Sequence, residues 1–378
     1  MKKLLLIALI LFVACNESST PRTDNVVDEA VNLKYATGFT ISSIDNHKLI
    51  TINSPWPDAD TSFSYLVLNK DHENQMPVDL NKYDHVITAP IDRIVVTSTT
   101  HIPAIEMLEV PEKLVGFPGC DYISSKITRG RIDKGLIREL GKNESINTEV
   151  LLEVNPQAVI TFGVKGTNKT VETIERANIP VLYNGDWVEA SPLAKAEWIK
   201  FFGVLFNREK MADSLFNEIE KNYLEAMEIA AQVKKRPTVM SGAMHKDVWY
   251  LPNGSSPEAQ FLKDANVNYL WADTQGQGSL ALSFESVLEK AQEADIWLSP
   301  SYYQTMDDLQ ASNPHYAQFK PFIDNQIFSF SNTVGEKGGV LYYELGVSRP
   351  DLVLKDIIKI CHPDLLETYD PFFFKALN

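Results

Sequence analysis

The sequence predicts an α/β protein in which two lobes are joined by helices. Beyond Ile91, short apolar runs typical of buried strands alternate with stretches of helical periodicity. That alternation indicates βαβ units and a mainly parallel sheet covered on both faces. A helical tract at 191–234 interrupts it, and the 378-residue chain is longer than one hydrophobic core usually supports. We therefore expect two Rossmann-like lobes, a long helical connector between them, and a β appendage before the first lobe.

The N-terminus has the layout of an export signal. Two lysines precede the unbroken apolar run Leu4–Ala14, which ends at Cys15. The run fits a secretory signal and is far shorter than the roughly 20 residues of a membrane-spanning helix. A small residue directly before a cysteine resembles the lipobox of bacterial lipoproteins. The resemblance implies a signal peptide at 1–14, an acylated Cys15 and a polar tether at 15–34, and so an exported protein that lipid anchors to a membrane.

The β appendage is expected at 35–90. Three short runs alternate or are rich in strand-forming residues, with Pro, Asn and Asp between them and without helical periodicity. These runs are Phe39–Ser42, Lys48–Ile52 and Tyr65–Leu68.

The first lobe is expected at 91–190, and its strands are predicted from apolar runs with helical stretches between them. These runs are Arg93–Thr97, Lys113–Phe117, Ala158–Phe162 and Pro180–Tyr183.

The connector at 191–234 is predicted to be helical, interrupted around Asn207, and to end before Pro237, since proline after a basic stretch is a typical helix stop. The second lobe follows at 235–348, and 349–378 forms a last amphipathic helix with a tail. Strands of the second lobe are expected at Thr238–Met240, Ile296–Leu298 and Ile327–Phe330.

Composition restricts the function. A formal charge of −15 argues against binding nucleic acid and against adhesion to anionic lipid by charge alone. The chain has no nucleophile elbow, no Walker A motif and no His-x-x-x-His helix, so we expect no catalytic residues and no cofactor. Two alternative functions are left open: a two-lobed enzyme and a purely structural surface lipoprotein. Cys120 and Cys361 could form a disulfide, because an exported protein permits one. Their spacing in the sequence does not tell whether they pair.

A loose internal echo links the two lobes. The segment from Glu149 to Ile160 and the segment from Glu285 to Ile296 each open with an acidic residue on a short helix and end in a buried strand. Chance similarity between two βαβ units is the rival explanation. If the echo is real, the two glutamates mark equivalent points of the lobes.

Four segments together resemble the helical-backbone class of periplasmic binding proteins, which bind iron-siderophores, haem and cobalamin. They are Arg93–Ser98, Glu189–Trp198, Asp247–Gly254 and Tyr342–Asp351 with His362-Pro363. The resemblance covers nearly the whole mature chain. It implies a lipoprotein that captures an iron-siderophore or related chelate between its lobes and delivers it to the permease of an ABC importer. A haem- or cobalamin-binding protein of the same fold is the alternative.

Ligand contacts are expected where strands end, because binding proteins of this architecture hold ligand at those loops. Aromatic side chains there supply contact area at low entropic cost. Trp249 and Tyr302 are favoured because each follows a strand among polar residues, and we expect the Trp249 indole at the cleft mouth. Met244, His245 and Tyr342 are further candidates on the second lobe. The residues assigned to the site are Thr100, His101, Tyr122, Phe162, Trp249, Tyr250, Tyr302 and Tyr303.

His101 leaves two roles open. It could ligate haem iron or bond a chelate rim, and it could equally cap the helix that it precedes. Of the seven histidines, only His101 and His245 fall at positions expected to face the cleft. Because a zinc or manganese site needs three or four His, Asp or Glu ligands, no bare-metal site is expected.

Glu149 and Glu285 have two compatible roles. Each carboxylate lies in the first turn of a predicted helix, where it complements the positive end of the helix dipole. The resemblance adds that one glutamate per lobe docks onto arginines of the permease through a charge-assisted contact.

Overall fold

The computed structural model describes residues 27–72, 79–166, 169–276 and 278–378. The predicted signal peptide and Cys15 lie outside these ranges. In the described part of the chain, no helix combines the length and the apolar character that crossing a bilayer requires.

The first lobe is built on a five-stranded parallel sheet in the order β12-β11-β6-β7-β8. Helices cover the sheet, and a small hairpin, β9 with β10, lies beside it. The strands are β6 Ile94–Val96, β7 Leu114–Phe117, β8 Arg138–Glu139, β9 Gly141–Lys142, β10 Ser145–Ile146, β11 Ala158–Thr161 and β12 Val181–Tyr183. The helices are α1 His101–Met107, α2 Lys126–Asp133, α3 Thr148–Val154 and α4 Lys169–Arg176.

The second lobe repeats this plan with the order β16-β13-β18-β19-β20, in which only β20 is antiparallel. An antiparallel sheet, β14-β15-β17, is added at its side. The strands are β13 Thr238–Ser241, β14 Ala243–His245, β15 Val248–Pro252, β16 Asn268–Tyr269, β17 Ser279–Leu282, β18 Ile296–Leu298, β19 Ile327–Ser329 and β20 Lys375–Ala376. The helices are α8 Pro257–Asp264, α9 Phe284–Ala291, α10 Met306–Ser312, α11 Lys320–Ile323, α12 Leu341–Leu345 and α13 Pro350–Cys361. The predicted fold class is confirmed.

The β appendage is a five-stranded sheet in the order β1-β2-β3-β4-β5. Its strands are β1 Val27–Val31, β2 Phe39–Ile44, β3 His47–Ile52, β4 Phe63–Asn69 and β5 His85–Ala89. Strand β1 lies inside 15–34, so the expectation of a tether throughout that range is wrong from residue 27 onward. Apolar residues of this sheet, such as Phe39 and Ile50, share one core with Ile94 and Ile102 of the first lobe. The appendage is thus fused to that lobe.

Two buried glutamates fasten the chain that follows β1. The Glu197 carboxylate accepts hydrogen bonds from the backbone N–H groups of Lys34, Tyr35 and Ala36 at 2.8–2.9 Å. Glu189 accepts from the Gly38 N–H at 2.8 Å and from the Trp198 indole at 3.0 Å. Ionised acceptors make strong hydrogen bonds to backbone N–H groups. These bonds therefore hold residues 34–38 against Glu189 and Glu197.

Three helices form the connector: α5 Pro192–Glu197, α6 Ile199–Leu205 and α7 Glu209–Ala230. The chain breaks between α6 and α7 at Asn207, which has a φ of 53°, as the sequence predicts. Helix α7 carries one apolar stripe at helical spacing, since side chains three and four residues apart share a face. The stripe enters the core of the first lobe with Ala212, Phe216 and Ile219 and the core of the second with Tyr223, Ala226 and Ala230.

Glu344 makes a direct contact between the lobes. From α12 of the second lobe, its carboxylate accepts from the backbone N–H of Ser124 at 2.5 Å and of Ser125 at 2.9 Å. These residues lie at the start of α2 in the first lobe. The nearby Glu106 carboxylate accepts from the hydroxyls of Ser125 and Thr128 at 2.5 Å each. Burial, and then the charge of Glu106, raise the pKa of Glu344 to about 7, against the hydrogen bonds that lower it.

The two cysteines left open as a disulfide are both free and buried. Cys120 belongs to the core of the first lobe and Cys361 to that of the second.

The raised pKa of Glu344 predicts a pH-dependent stability. Because its folded pKa of about 7 exceeds its ordinary value of 4.5, the folded protein binds a proton that the unfolded chain has released between these values. This contribution is fully present below the ordinary pKa and is lost as pH rises through about 7. We expect Glu344→Gln to lose less stability than the wild type between pH 5 and pH 8. Thermal unfolding of both proteins across that range, with the exposed Glu367→Gln as control, measures the difference. Parallel curves for wild type and Glu344→Gln would contradict this assignment.

Candidate ligand-binding site

A cavity of about 460 Å³ lies between the lobes. From the first lobe it is lined by residues that follow the carboxyl ends of three parallel strands, and from the second lobe by two tyrosines and a loop. The size falls within the range of small-molecule sites. Its lining is Thr97, Ser98, Thr99, Phe117, Pro118, Tyr122, Asn143, Phe162, Tyr302, Gly338, Gly339, Val340 and Tyr343.

A second cavity, of about 390 Å³, lies in the second lobe. It begins where β13 and β18 end, at Ser241 and Ser299, and Tyr250 and Phe330 line its walls. We call it the C-lobe cavity and the first one the interlobe cavity.

Tyr302 and Tyr343 line both cavities. Their rings lie 6.1 Å apart, and Tyr343 also meets Phe330 edge-on at 5.3 Å. Burial, followed by hydrogen bonding to Tyr302, raises the pKa of Tyr343. The Tyr343 phenol therefore stays neutral, and the two rings form an aromatic wall between the cavities.

Polar groups of the interlobe cavity sit on the side of the first lobe. The Thr97 hydroxyl pairs with that of Thr161 at 3.0 Å. The Asn143 side-chain oxygen is buried and has no hydrogen-bond partner among the described residues. Because buried polar atoms are nearly always hydrogen-bonded, a bound N–H or O–H donor is the natural partner for it.

The appendage supports the loop that carries Phe162. The indole of Trp56 packs so closely on Gly163 that a Cβ there would lie 2.4 Å from it. A Cβ on Gly185, after β12, would lie 2.4 Å from the carbonyl oxygen of Ser54. The appendage loop thus packs directly on the backbone of Gly163 and Gly185, where a side chain would not fit.

Of the predicted site residues, four line a cavity. Tyr122, Phe162 and Tyr302 line the interlobe cavity, and Tyr250 lines the C-lobe cavity together with Tyr302. Tyr122 and Tyr302 have exposed fractions of 72% and 67%, which leaves large aromatic surfaces uncovered.

The expectation that Trp249 stands at the cleft mouth is wrong. The segment expected to be a ligand loop forms strand β15, in which successive side chains point to opposite faces. Trp249 points into the core and is fully buried, stacked on Trp297 at 5.5 Å and bonded to the Ser241 carbonyl at 3.0 Å. Its neighbour Tyr250 is the residue that faces the cavity.

His101, Thr100 and Tyr303 also lie away from the cavity surfaces, which corrects their expected positions. His101 is fully buried beside Phe202, and burial lowers its pKa to about 3. Neither ring nitrogen has a hydrogen-bond partner among the described residues, so the ring does not cap α1, and His101 lines neither cavity. The Thr100 hydroxyl bonds to that of Ser98 at 2.9 Å. Tyr303 is half-buried against the core of the second lobe.

Tyr343, Phe117 and Glu258 line the cavities but escape the sequence analysis. Tyr342 and Tyr343 both line the C-lobe cavity, and sequence alone does not tell that Tyr343 also reaches the interlobe cavity. Glu258 lies in the first turn of α8, where a carboxylate is expected for the helix dipole in any case.

Glu149 and Glu285 are exposed, in the first turns of α3 and α9. Hydrogen bonds from its own backbone N–H and from Ser283 lower the pKa of Glu285, so it is ionised at neutral pH. Within the described ranges, no group of three or more His, Cys, Asp or Glu is arranged to hold a metal ion.

Two α/β lobes with an aromatic cavity between them define a two-lobed binding protein. The chain matches the periplasmic binding protein family over residues 94–332 and belongs to that family. An uncharacterized lipoprotein of Methanocaldococcus jannaschii is 26% identical over 302 residues, covering 78% of this chain and 70% of that protein.

Solved structures show the same fold. A possible iron-binding periplasmic solute-binding protein of Staphylococcus epidermidis aligns with a TM-score of 0.56 and 16% identity, over 72% of this chain and 99% of its own. A periplasmic heme-binding protein of Pseudomonas aeruginosa aligns with a TM-score of 0.56 and 14% identity, over 76% and 98%. The family match begins after the appendage, which is therefore an addition to the part that defines the family.

The positions of Trp249 and Tyr302 predict opposite effects of truncation. Trp249→Ala removes a fully buried aromatic residue and should cost about 3–5 kcal/mol of unfolding free energy. Tyr302→Ala should cost much less, because the ring is mostly exposed. Denaturant unfolding of both variants measures this contrast, and equal stability losses would contradict the assigned positions.

Proposed function

We propose that this protein is the substrate-binding lipoprotein of an ABC importer and that it captures an iron-siderophore or related metal chelate. The observation that carries the proposal is the interlobe cavity, in which strand ends of one lobe face tyrosines of the other. Delivery to a permease would follow capture.

The lining suits a bulky chelate. Such a ligand presents apolar surface and a rim of oxygen and nitrogen atoms. The rings of Tyr122, Phe162 and Tyr302 offer contact area at low entropic cost. The hydroxyls of Thr97 and Ser98 and the free oxygen of Asn143 offer the few polar contacts that orient a ligand.

Export and anchoring rest on the signal-like N-terminus and Cys15, and relatives named lipoproteins support them. Import is supported by the names of structural neighbours, one of which is an ABC transporter substrate-binding protein of Listeria monocytogenes. An acyl chain on Cys15 would hold the protein at the membrane.

The spectrum of the protein purified from its native source tests the proposal. We expect the absorption band of a bound ferric siderophore, and we expect dialysis against the iron-free chelator to remove that band. A Soret band or a corrin band would instead identify haem or a corrinoid as the cargo of the same site. A colourless protein that binds none of these chelates saturably would overturn chelate capture. A chelate released chemically altered would indicate an enzyme.

Glu149 and Glu285 are proposed to dock the protein onto the permease. Each lies in the first turn of a helix that leads directly into a parallel strand, β11 or β18. Since helices of such units run opposite to the strands, their first turns lie at the carboxyl edge of the sheet, the edge that also forms the cavity. One exposed carboxylate per lobe then flanks the cavity opening and can meet arginines of a permease.

Charge reversal tests the docking role. Glu149→Lys and Glu285→Lys should leave chelate affinity unchanged, and uptake by cells should fall in each variant and vanish in the double variant. Each reversal places like charges in the contact. Glu289→Lys, on an exposed position of α9, is the matched control. A role confined to the helix dipole predicts a small loss of stability and normal uptake; normal uptake in the double variant would remove the docking role.

A further inference from the structure

The C-lobe cavity has a lining of its own kind. Besides Tyr302 and Tyr343, it is lined by Tyr250, Tyr342 and Phe330. The Tyr342 and Phe330 rings stack with centroids 4.2 Å apart and planes 10° from parallel. Several aromatic faces and edges therefore surround one space of about 390 Å³.

One exposed carboxylate residue borders this aromatic cavity. Glu258, in the first turn of α8, lines it, and in the described part of the chain no lysine or arginine forms an ion pair with Glu258. Burial, and then the charge of Glu258, raise the pKa of Tyr342, which agrees with a short separation between the two groups. Among the described residues that line this cavity, Glu258 is the one that carries a carboxyl group.

Positive charge is nearly missing from both cavities. Among the described residues that line them, there is no lysine and no arginine, and His245 is the only side chain that can carry a positive charge. Lys337 precedes Gly338 in the chain but does not line the interlobe cavity. A strongly anionic solute, such as a ferric tris-catecholate, would find no fixed cation there. Buried charges need partners, so the lining favours a neutral or cationic solute.

Aromatic rings and an unpaired carboxylate form the combination that recognises an ammonium group. A cation over an aromatic face is attracted by the negative charge of that face, and a carboxylate adds a charge-assisted hydrogen bond. We propose that the C-lobe cavity is a subsite for a positively charged amine arm of the bound solute. This rests on the proposed function. The chelating body of the ligand would occupy the interlobe cavity, and its amine arm would extend past Tyr302 and Tyr343 into the C-lobe cavity.

A first experiment tests the cation subsite without any chelate. Wild type, Glu258→Gln and the exposed control Glu289→Gln are titrated with n-pentylammonium, n-pentanol and n-pentanoate, and the backbone amides of Gly242 and Tyr250 are followed by NMR. We expect wild type and control to bind pentylammonium about tenfold more tightly than the other two probes, and Glu258→Gln to lose this preference. No preference in the wild type, or one that survives in Glu258→Gln, would overturn the proposal. A carboxylate that serves only the dipole of α8 predicts slightly lower stability and unchanged selectivity.

A second experiment links the subsite to the chelate. Ferrioxamine B is a ferric trihydroxamate that ends in a free ammonium, and its N-acetylated derivative lacks that charge. We expect the wild type to bind ferrioxamine B about tenfold more tightly than the derivative, and Glu258→Gln to bind both alike. Equal binding of both chelates by the wild type would overturn the amine arm and leave chelate capture standing. If no ferric chelate binds but pentylammonium selectivity depends on Glu258, chelate capture fails and the cation site stands.

Discussion

Helix α7 is the element on which the relation between the lobes depends. A single apolar stripe enters the core of the first lobe at Phe216 and the core of the second at Tyr223. Because an α-helix has a fixed rise and direction, the lobes cannot slide along it without disrupting one of the two cores. Glu344 adds a second constraint, since its carboxylate bonds the start of α2 from the opposite lobe. These two features hold the strand ends of the first lobe at a set distance from the tyrosines of the second.

The two cavities that follow from this geometry offer different groups to a ligand. The interlobe cavity offers rings and hydroxyls, whereas the C-lobe cavity adds the carboxylate of Glu258. Tyr302 and Tyr343 belong to both, so a ligand that fills one cavity touches the wall of the other. The appendage supports the interlobe cavity indirectly, because Trp56 packs on Gly163 in the loop that carries Phe162. The appendage, which lies outside the family match, thus supports the lining of the interlobe cavity.

The lobes, the connector and the strand exits could be predicted, because buried-strand runs and helical periodicity are strong local signals. Individual site residues were harder. Trp249 and Tyr250 are adjacent in one strand, and a shift of one residue exchanges the buried face for the exposed one. His101 follows a strand exit but is buried beside Phe202. That contact comes from a residue about a hundred positions further along the chain. Glu344 and Glu258 gain their roles from neighbours in space, which a single sequence does not contain.

The position of the metal in a bound chelate tests the account most directly. Crystals grown with the tightest-binding chelate would locate it by anomalous scattering at the absorption edge of the metal. We expect one strong peak in the interlobe cavity, between Phe162 and Tyr302, with α7 and the Glu344 contact unchanged. A peak on the outer surface, or one that requires the lobes to separate, would contradict it.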